Sequence, residues 1–313
     1  MTAAALSAAD FPQTEIASKT ITAKFYLPDA EKGYYRGTRF DWSGQIYSLR
    51  AGGHEYFGQW FPKYDPKLHD SIMGPVEDFR SGGGSLGYVE AKPGETFIRI
   101  GVGVVRKPEE NAFAPFRTYD IVDPGKWTVK RGRDRVTFTH ELTDASGYGY
   151  RYTKTVRLAK DKPEMIIEHA FKNTGTKPIV TQQYNHNFFV MDNAPTGPDS
   201  VVLFPFELKP VQPLRGTGAI VQGRNIVYTK ELETGESVYG EFTGYGTSAA
   251  DYDFHLENKK AGAGVEIRGD QPLAKLVYWS IRTTFCPEAY VSLQAEPGRE
   301  AKWVYTYRFY SLK

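Results

Sequence analysis

Hydrophobic and polar residues alternate with a period close to two along much of the chain, over Phe97 to Val104, Arg135 to His140, Tyr150 to Leu158, Met165 to Phe171 and Trp303 to Tyr310. Successive side chains of an extended backbone point to opposite faces, so this alternation predicts strands with one face buried. Turn-forming clusters separate the runs: Lys92-Pro93-Gly94-Glu95, Asp123-Pro124-Gly125, Asp144-Ala145-Ser146-Gly147, Asn173-Thr174-Gly175 and Glu296-Pro297-Gly298. Strand, turn and strand at such spacing describe antiparallel meanders. No amphipathic run carries a clear cap, so helices should be few and short. Strands reach across the length with no dividing linker, which predicts an all-β chain: an N-terminal arm over residues 1–20 and a single large antiparallel β-sandwich over 21–313. The glycine-rich segment Ser71 to Tyr88 reads as a loop crossing one face. Its Gly82-Gly83-Gly84 follows no strand-to-helix switch and precedes no Lys-Ser/Thr pair, which argues against a phosphate cradle. No period of 20–50 residues recurs, so propellers and solenoids are excluded.

The composition agrees with a packed globular protein: 313 residues, 40% hydrophobic and 14% aromatic. With 39 Lys+Arg against 37 Asp+Glu, the net charge of +2 supplies no strong field for nucleic acid or an anionic membrane. The lone Cys286 excludes both an intramolecular disulfide and a thiolate metal cluster. No stretch approaches the ~20 apolar residues of a membrane span. The opening MTAAALSAAD lacks the basic start and the apolar run of an intact signal peptide. The compartment stays open between the cytoplasm and, for a trimmed leader, the periplasm or exterior.

Two segments concentrate chemistry. The first, Gln182 to Phe189, surrounds His186 with amides and aromatic rings, a mixture that suits a ligand with polar edges and apolar faces, as sugars have. A histidine that merely anchors a loop through its neighbours' amides fits the same local sequence. The second, Thr283 to Tyr290, sets Glu288 among Phe285, Cys286, Pro287 and Tyr290. Partial desolvation there would raise the carboxylate's proton affinity toward the range useful for acid–base work, although a surface glutamate in a turn has the same signature. The six histidines form no HExxH or HxH arrangement, so no metal site is expected, and His140 and His169 read as structural imidazoles.

Together these segments resemble the galactose mutarotase-like (aldose 1-epimerase) superfamily. Asn185-His186-Asn187-Phe188-Phe189 looks like the family's segment around its central histidine, and Phe285-Cys286-Pro287-Glu288 like the segment around its glutamate. Pro297-Gly298-Arg299-Glu300 and Tyr305-Thr306-Tyr307-Arg308-Phe309 then follow in the family's order. Val265 to Pro272, with Leu276 to Trp279, is similar to the strand, Asp-Gln-Pro turn and strand that precede the glutamate. The resemblance implies a supersandwich fold and interconversion of sugar anomers without a cofactor, Glu288 acting as base and His186 as acid. It implies Asp251 on the ring hydroxyls, Tyr184 or Trp279 as an apolar platform and Asn185 beside them, with a sugar or oligosaccharide as the partner. A non-catalytic carbohydrate-binding protein and a uronate-cleaving polysaccharide lyase are the alternatives on the same fold. The family's early Asn-Arg pair and Leu-His-Gly-Gly segment are absent. Arg39, Arg80 and Lys107 are the expected cationic substitutes, and His54 and His69 the candidate imidazoles. Their absence also predicts a substrate other than an ordinary free hexose.

Overall fold

The computed structural model describes residues 11–313. Half of it is strand, and the described helices are short 3-10 turns. A ten-stranded antiparallel sheet runs from edge strand Ala219–Gln222 to edge strand Lys126–Arg131, with Glu300–Ser311, Glu164–Asn173 and Gly149–Leu158 adjacent in its middle. A six-stranded antiparallel sheet is ordered Lys209–Pro210, Ser237–Thr243, Lys275–Ile281, Thr284–Ala295, Ile179–Phe188 and Gly74–Ser81. Smaller sheets of four and three strands flank the pair. Among the described residues no helix is long and apolar enough to cross a membrane. Of the expected arm, residues 1–10 lie outside the described residues. Gln13–Ala17 is a strand, paired along its length with Ile21–Tyr26.

The long alternating runs form the strands their pattern predicts, and the core lies between the two large sheets. Trp303, Tyr305, Tyr307 and Phe309, every second residue of one strand, are all buried. Two expectations fail locally. The run Phe97 to Val104 is two strands, Thr96–Arg99 and Gly103–Arg106, joined by a tight turn. Gly101 takes φ +78 there, and a Cβ on it would lie 2.5 Å from the Asp41 carboxylate, so only glycine fits this turn. The glycine-rich segment is not a loop throughout: Gly74–Ser81 is an eight-residue edge strand paired with Ile179–Phe188. Its first six residues are buried on both faces, so it shows no alternation of period two.

Burying charged residues on that strand requires partners. Glu77 faces the ten-stranded sheet and meets Lys154 Nζ at 2.5 Å and His169 Nε2 at 3.0 Å, all three fully buried. Lys154 also donates to the Ser43 carbonyl at 2.9 Å. Lys154 and His169 together hold Glu77 below the usual carboxylate range although burial acts the other way. A second polar layer crosses between the sheets next to it. Tyr305 and Tyr307 donate to Gln183 Oε1 and Asn187 Oδ1, each at 2.7 Å, and Asn185 donates to the Tyr307 oxygen at 2.9 Å. The odd-numbered residues of Ile179–Phe188 thus lock the sheets together, leaving its even-numbered residues for the opposite face.

Candidate functional site

That opposite face carries a cavity of about 370 Å3, within the size range of small-molecule sites. Strand periodicity supplies its floor: Tyr184, His186 and Phe188 from one strand, Glu288 and Tyr290 from the next, then Lys275, Val277 and Trp279 from a third. Arg80 enters from the edge strand and Tyr239 from the far side. Two loops complete it, contributing His69 with Asp70, and Phe116, while Arg39 reaches in from the segment following the Ile21–Tyr26 strand.

His186 and Glu288 are side by side on this floor, Nε2 to Oε1 3.2 Å, and only 3% and 6% exposed. The register explains the contact, because Tyr184 pairs with Tyr290 and the next inward positions along the antiparallel strands are His186 and Glu288. Phe188 stacks on the imidazole at 3.8 Å and Trp279 meets it edge-on at 5.5 Å, so the ring is clamped by apolar surface. Burial, reinforced by Arg39 and Arg80, pushes the His186 proton affinity well below that of an ordinary histidine. Burial pushes Glu288 up, from 4.5 to about 7, with Asp78 adding to the rise and Arg39, Arg80 and Lys275 opposing it. The two shifts act in one direction: both favour the neutral carboxyl beside a neutral imidazole over the ion pair. The Nδ1 of His186 is buried without a hydrogen-bond partner.

Arginines surround the pair in fixed positions. Arg80 is held by Asp78 at 2.5 Å, and Asp78 also takes Arg99 Nη2 at 3.1 Å and the Tyr184 hydroxyl at 3.1 Å. Arg39 meets Asp70 at 2.5 Å, and its guanidinium lies over the Phe40 and Phe116 rings, 4.4 and 4.7 Å from their centroids. His69 Nε2 reaches the other oxygen of Asp70 at 2.9 Å. These donors are aimed by carboxylates and rings, which spares a bound ligand the entropy of ordering long side chains. Among the described residues the cavity has no cluster of side chains placed to hold a metal ion.

Of the residues singled out from the sequence, Glu288, His186, Tyr184, Trp279, Arg39 and Arg80 line this one cavity. Asp251, Asn185 and Lys107 do not. Asp251 closes a short turn, its Oδ2 accepting from the Gly246 N–H at 2.7 Å, at the entry to a strand of the ten-stranded sheet. Asn185 has the wrong parity and faces the other sheet, as above. Lys107 donates to the carbonyls of Tyr88 and Ala91 at 3.0 and 2.8 Å, above the Tyr88 ring. Tyr290, Phe188 and Lys275 also line the cavity and Asp78 holds Arg80 and Tyr184 behind it; each stands two or four residues along its strand from a recognised position, where side-chain parity points to it. His69, a candidate imidazole in sequence, lines the cavity with Asp70 and Phe116, which come from loops whose approach no local pattern encodes.

No protein-family model matches the chain, and no curated protein matches its sequence. Solved structures do match its shape over nearly their whole length. The Slr1438 protein of Synechocystis superposes with a TM-score of 0.59 at 13% identity, covering 100% of both chains. A galactose mutarotase-like protein from Lactobacillus casei gives 0.55 at 13%, covering 95% of this chain and 100% of its own. An aldose epimerase homologue from C. elegans gives 0.56 at 15%, covering 96% and 99%. The chain therefore has the galactose mutarotase-like fold. Fold alone does not assign chemistry, which has to be argued from the site.

Proposed function

We propose that this protein interconverts the anomers of a reducing sugar by general acid–base ring opening. The observation that carries the proposal is the His186–Glu288 pair, 3.2 Å apart at the bottom of a cavity, with the proton affinity of the carboxyl raised and that of the imidazole lowered. Anomer exchange moves one proton from the anomeric hydroxyl to the ring oxygen, two oxygens on the same carbon, so two adjacent groups sharing one proton suffice. Glu288 donates its proton to the ring oxygen while His186 accepts that of the hydroxyl. The bond from the anomeric carbon to the ring oxygen breaks and the hydroxyl oxygen becomes the aldehyde. After rotation about the neighbouring carbon–carbon bond the steps reverse on the other face, restoring both groups and consuming nothing.

This allocation is the other tautomer of the one suggested by the sequence, which put the proton on His186 and made Glu288 the base. Burial and the two arginines favour the neutral imidazole, hence the exchange of roles. Trp279 offers an apolar face to the sugar's C–H surface, and Arg39 and Arg80 offer donors to its hydroxyls. The lyase alternative receives less support, because a tyrosine base needs a lowered proton affinity. Burial raises it at Tyr184, aided by Asp78 and Glu288, and at Tyr290, aided by Tyr184 and Glu288. The test is anomer exchange by NMR across neutral sugars, uronates and sugar phosphates, with wild type and Glu288→Gln. Acceleration above the uncatalysed rate that disappears in the variant supports the proposal. Saturable sugar binding with no acceleration in wild type refutes it in favour of a binding protein.

A further inference from the structure

We infer that the site takes the reducing end of an oligosaccharide, with the Phe116 ring at the cavity's outer end as the stacking platform for the second sugar unit. The inference rests on the anomer-exchange reading, which places a reducing end against His186 and Glu288. Those groups are buried, so whatever is attached to the far side of the first ring extends toward the exposed end of the cavity. Phe116 is there, 56% exposed, and it is the only aromatic side chain among the described residues with more than half its surface free. The other exposed large apolar side chains are aliphatic, and one of them, Leu68, belongs to the His69 loop on the same cavity.

An exposed phenylalanine on a loop is ordinary when the loop is loose. This loop is tied down on both sides of the ring's attachment. Thr38 donates to the Arg117 carbonyl at 3.1 Å, and Thr118 donates to the Lys67 carbonyl at 2.5 Å, tying the Phe116 loop to the His69 loop. Arg117 pairs with Glu110 at 3.2 Å. The Arg39 guanidinium lies 4.7 Å from the Phe116 ring centroid and the His69 ring 4.9 Å from it, which fixes the ring's orientation while more than half of the residue stays exposed. A ring fixed in this way offers apolar surface at little entropic cost, which is what an aromatic platform for the C–H face of a sugar requires. The two loops meet through the Thr118 hydroxyl on the Lys67 carbonyl and through the Phe116 and His69 rings.

The experiment compares kcat/KM for anomer exchange on glucose and galactose with that on maltose, cellobiose and lactose, for wild type, Phe116→Ala and Phe116→Tyr. Wild type should prefer at least one disaccharide over its own reducing-end monosaccharide by roughly tenfold, the effect of one buried apolar contact. Phe116→Ala should lower that ratio to near one through KM, and Phe116→Tyr should keep it. A wild-type ratio near one, or a ratio that Phe116→Ala leaves unchanged, overturns this inference while leaving anomer exchange standing. No acceleration on any of the five sugars overturns this inference, and the anomer-exchange reading falls with it only when uronates and sugar phosphates are not exchanged either.

Discussion

Replacing Glu288 by glutamine should make the protein less active and more stable, and the two effects should diverge with pH. The carboxyl is buried and its pKa stands at about 7 in place of 4.5. At about 1.36 kcal/mol per pH unit, ionising it inside the folded protein costs about 3 kcal/mol more than ionising it in the unfolded chain. Below pH 4.5 it is protonated in both states and the cost is absent. Between 4.5 and 7 the unfolded chain releases the proton first, so stability falls as pH rises, and above 7 the full cost is present. Glutamine has nearly the same shape, never ionises and can still donate to His186, so the variant escapes the cost. At roughly 2 °C per kcal/mol for a large domain, its unfolding midpoint should exceed that of wild type by on the order of 5 °C at pH 8 and by little at pH 4.5. Anomer exchange should fall by roughly 10²–10⁴-fold, the usual contribution of a positioned acid or base. Thermal unfolding at both pH values, with NMR exchange at pH 6.5, reads both effects. A variant less stable than wild type at pH 8 would show that the surrounding cations hold Glu288 as a structural anion and would refute the argument from a raised proton affinity.

Three further outcomes follow from the same geometry. Because the active pair carries one proton, exchange should fall about tenfold per pH unit above about 7, as Glu288 loses it, and should also fall in acid once His186 gains a second. The optimum therefore lies on the acid side of neutrality, and a profile flat to pH 9 would exclude the pair. Asp251→Ala and Lys107→Ala should each leave kcat/KM within about twofold, since neither lines the cavity. A tenfold loss in either would place the substrate elsewhere. Lys154→Met should cost about 3–5 kcal/mol in urea unfolding, because it leaves Glu77 buried against His169 alone, and adding Glu77→Gln should recover part of it. Equal destabilisation in the single and double variants would show that packing, not charge, is lost.

Period-two patterning was enough to read an all-β chain, because a strand that buries one face must alternate and Gly149–Leu158 or Glu300–Ser311 does so visibly. His186 and Glu288 were likewise legible, each as a polar group set in an otherwise apolar segment. Where both faces are buried the signal vanishes: Gly74–Ser81 reads as a loop in sequence, although it carries Glu77 inward to Lys154 and, on its other face, Asp78 to hold Arg80 at the cavity. Side-chain parity was left undetermined for the same reason. Asn185 and His186 are neighbours in sequence, but the pleat sends one to Tyr307 and the other to Glu288. The contacts made by Arg39, His69, Asp70 and Phe116 depend on loops separated by tens of residues. Only the packing of the sheets brings those loops together, because a loop's path is set by the strands it joins and by distant partners such as Thr38 and Lys67. Alternation is a local consequence of backbone geometry and can be read along one strand. The proton affinities of the central pair depend on desolvation and on charges carried by other strands, so they come into existence only with the tertiary structure.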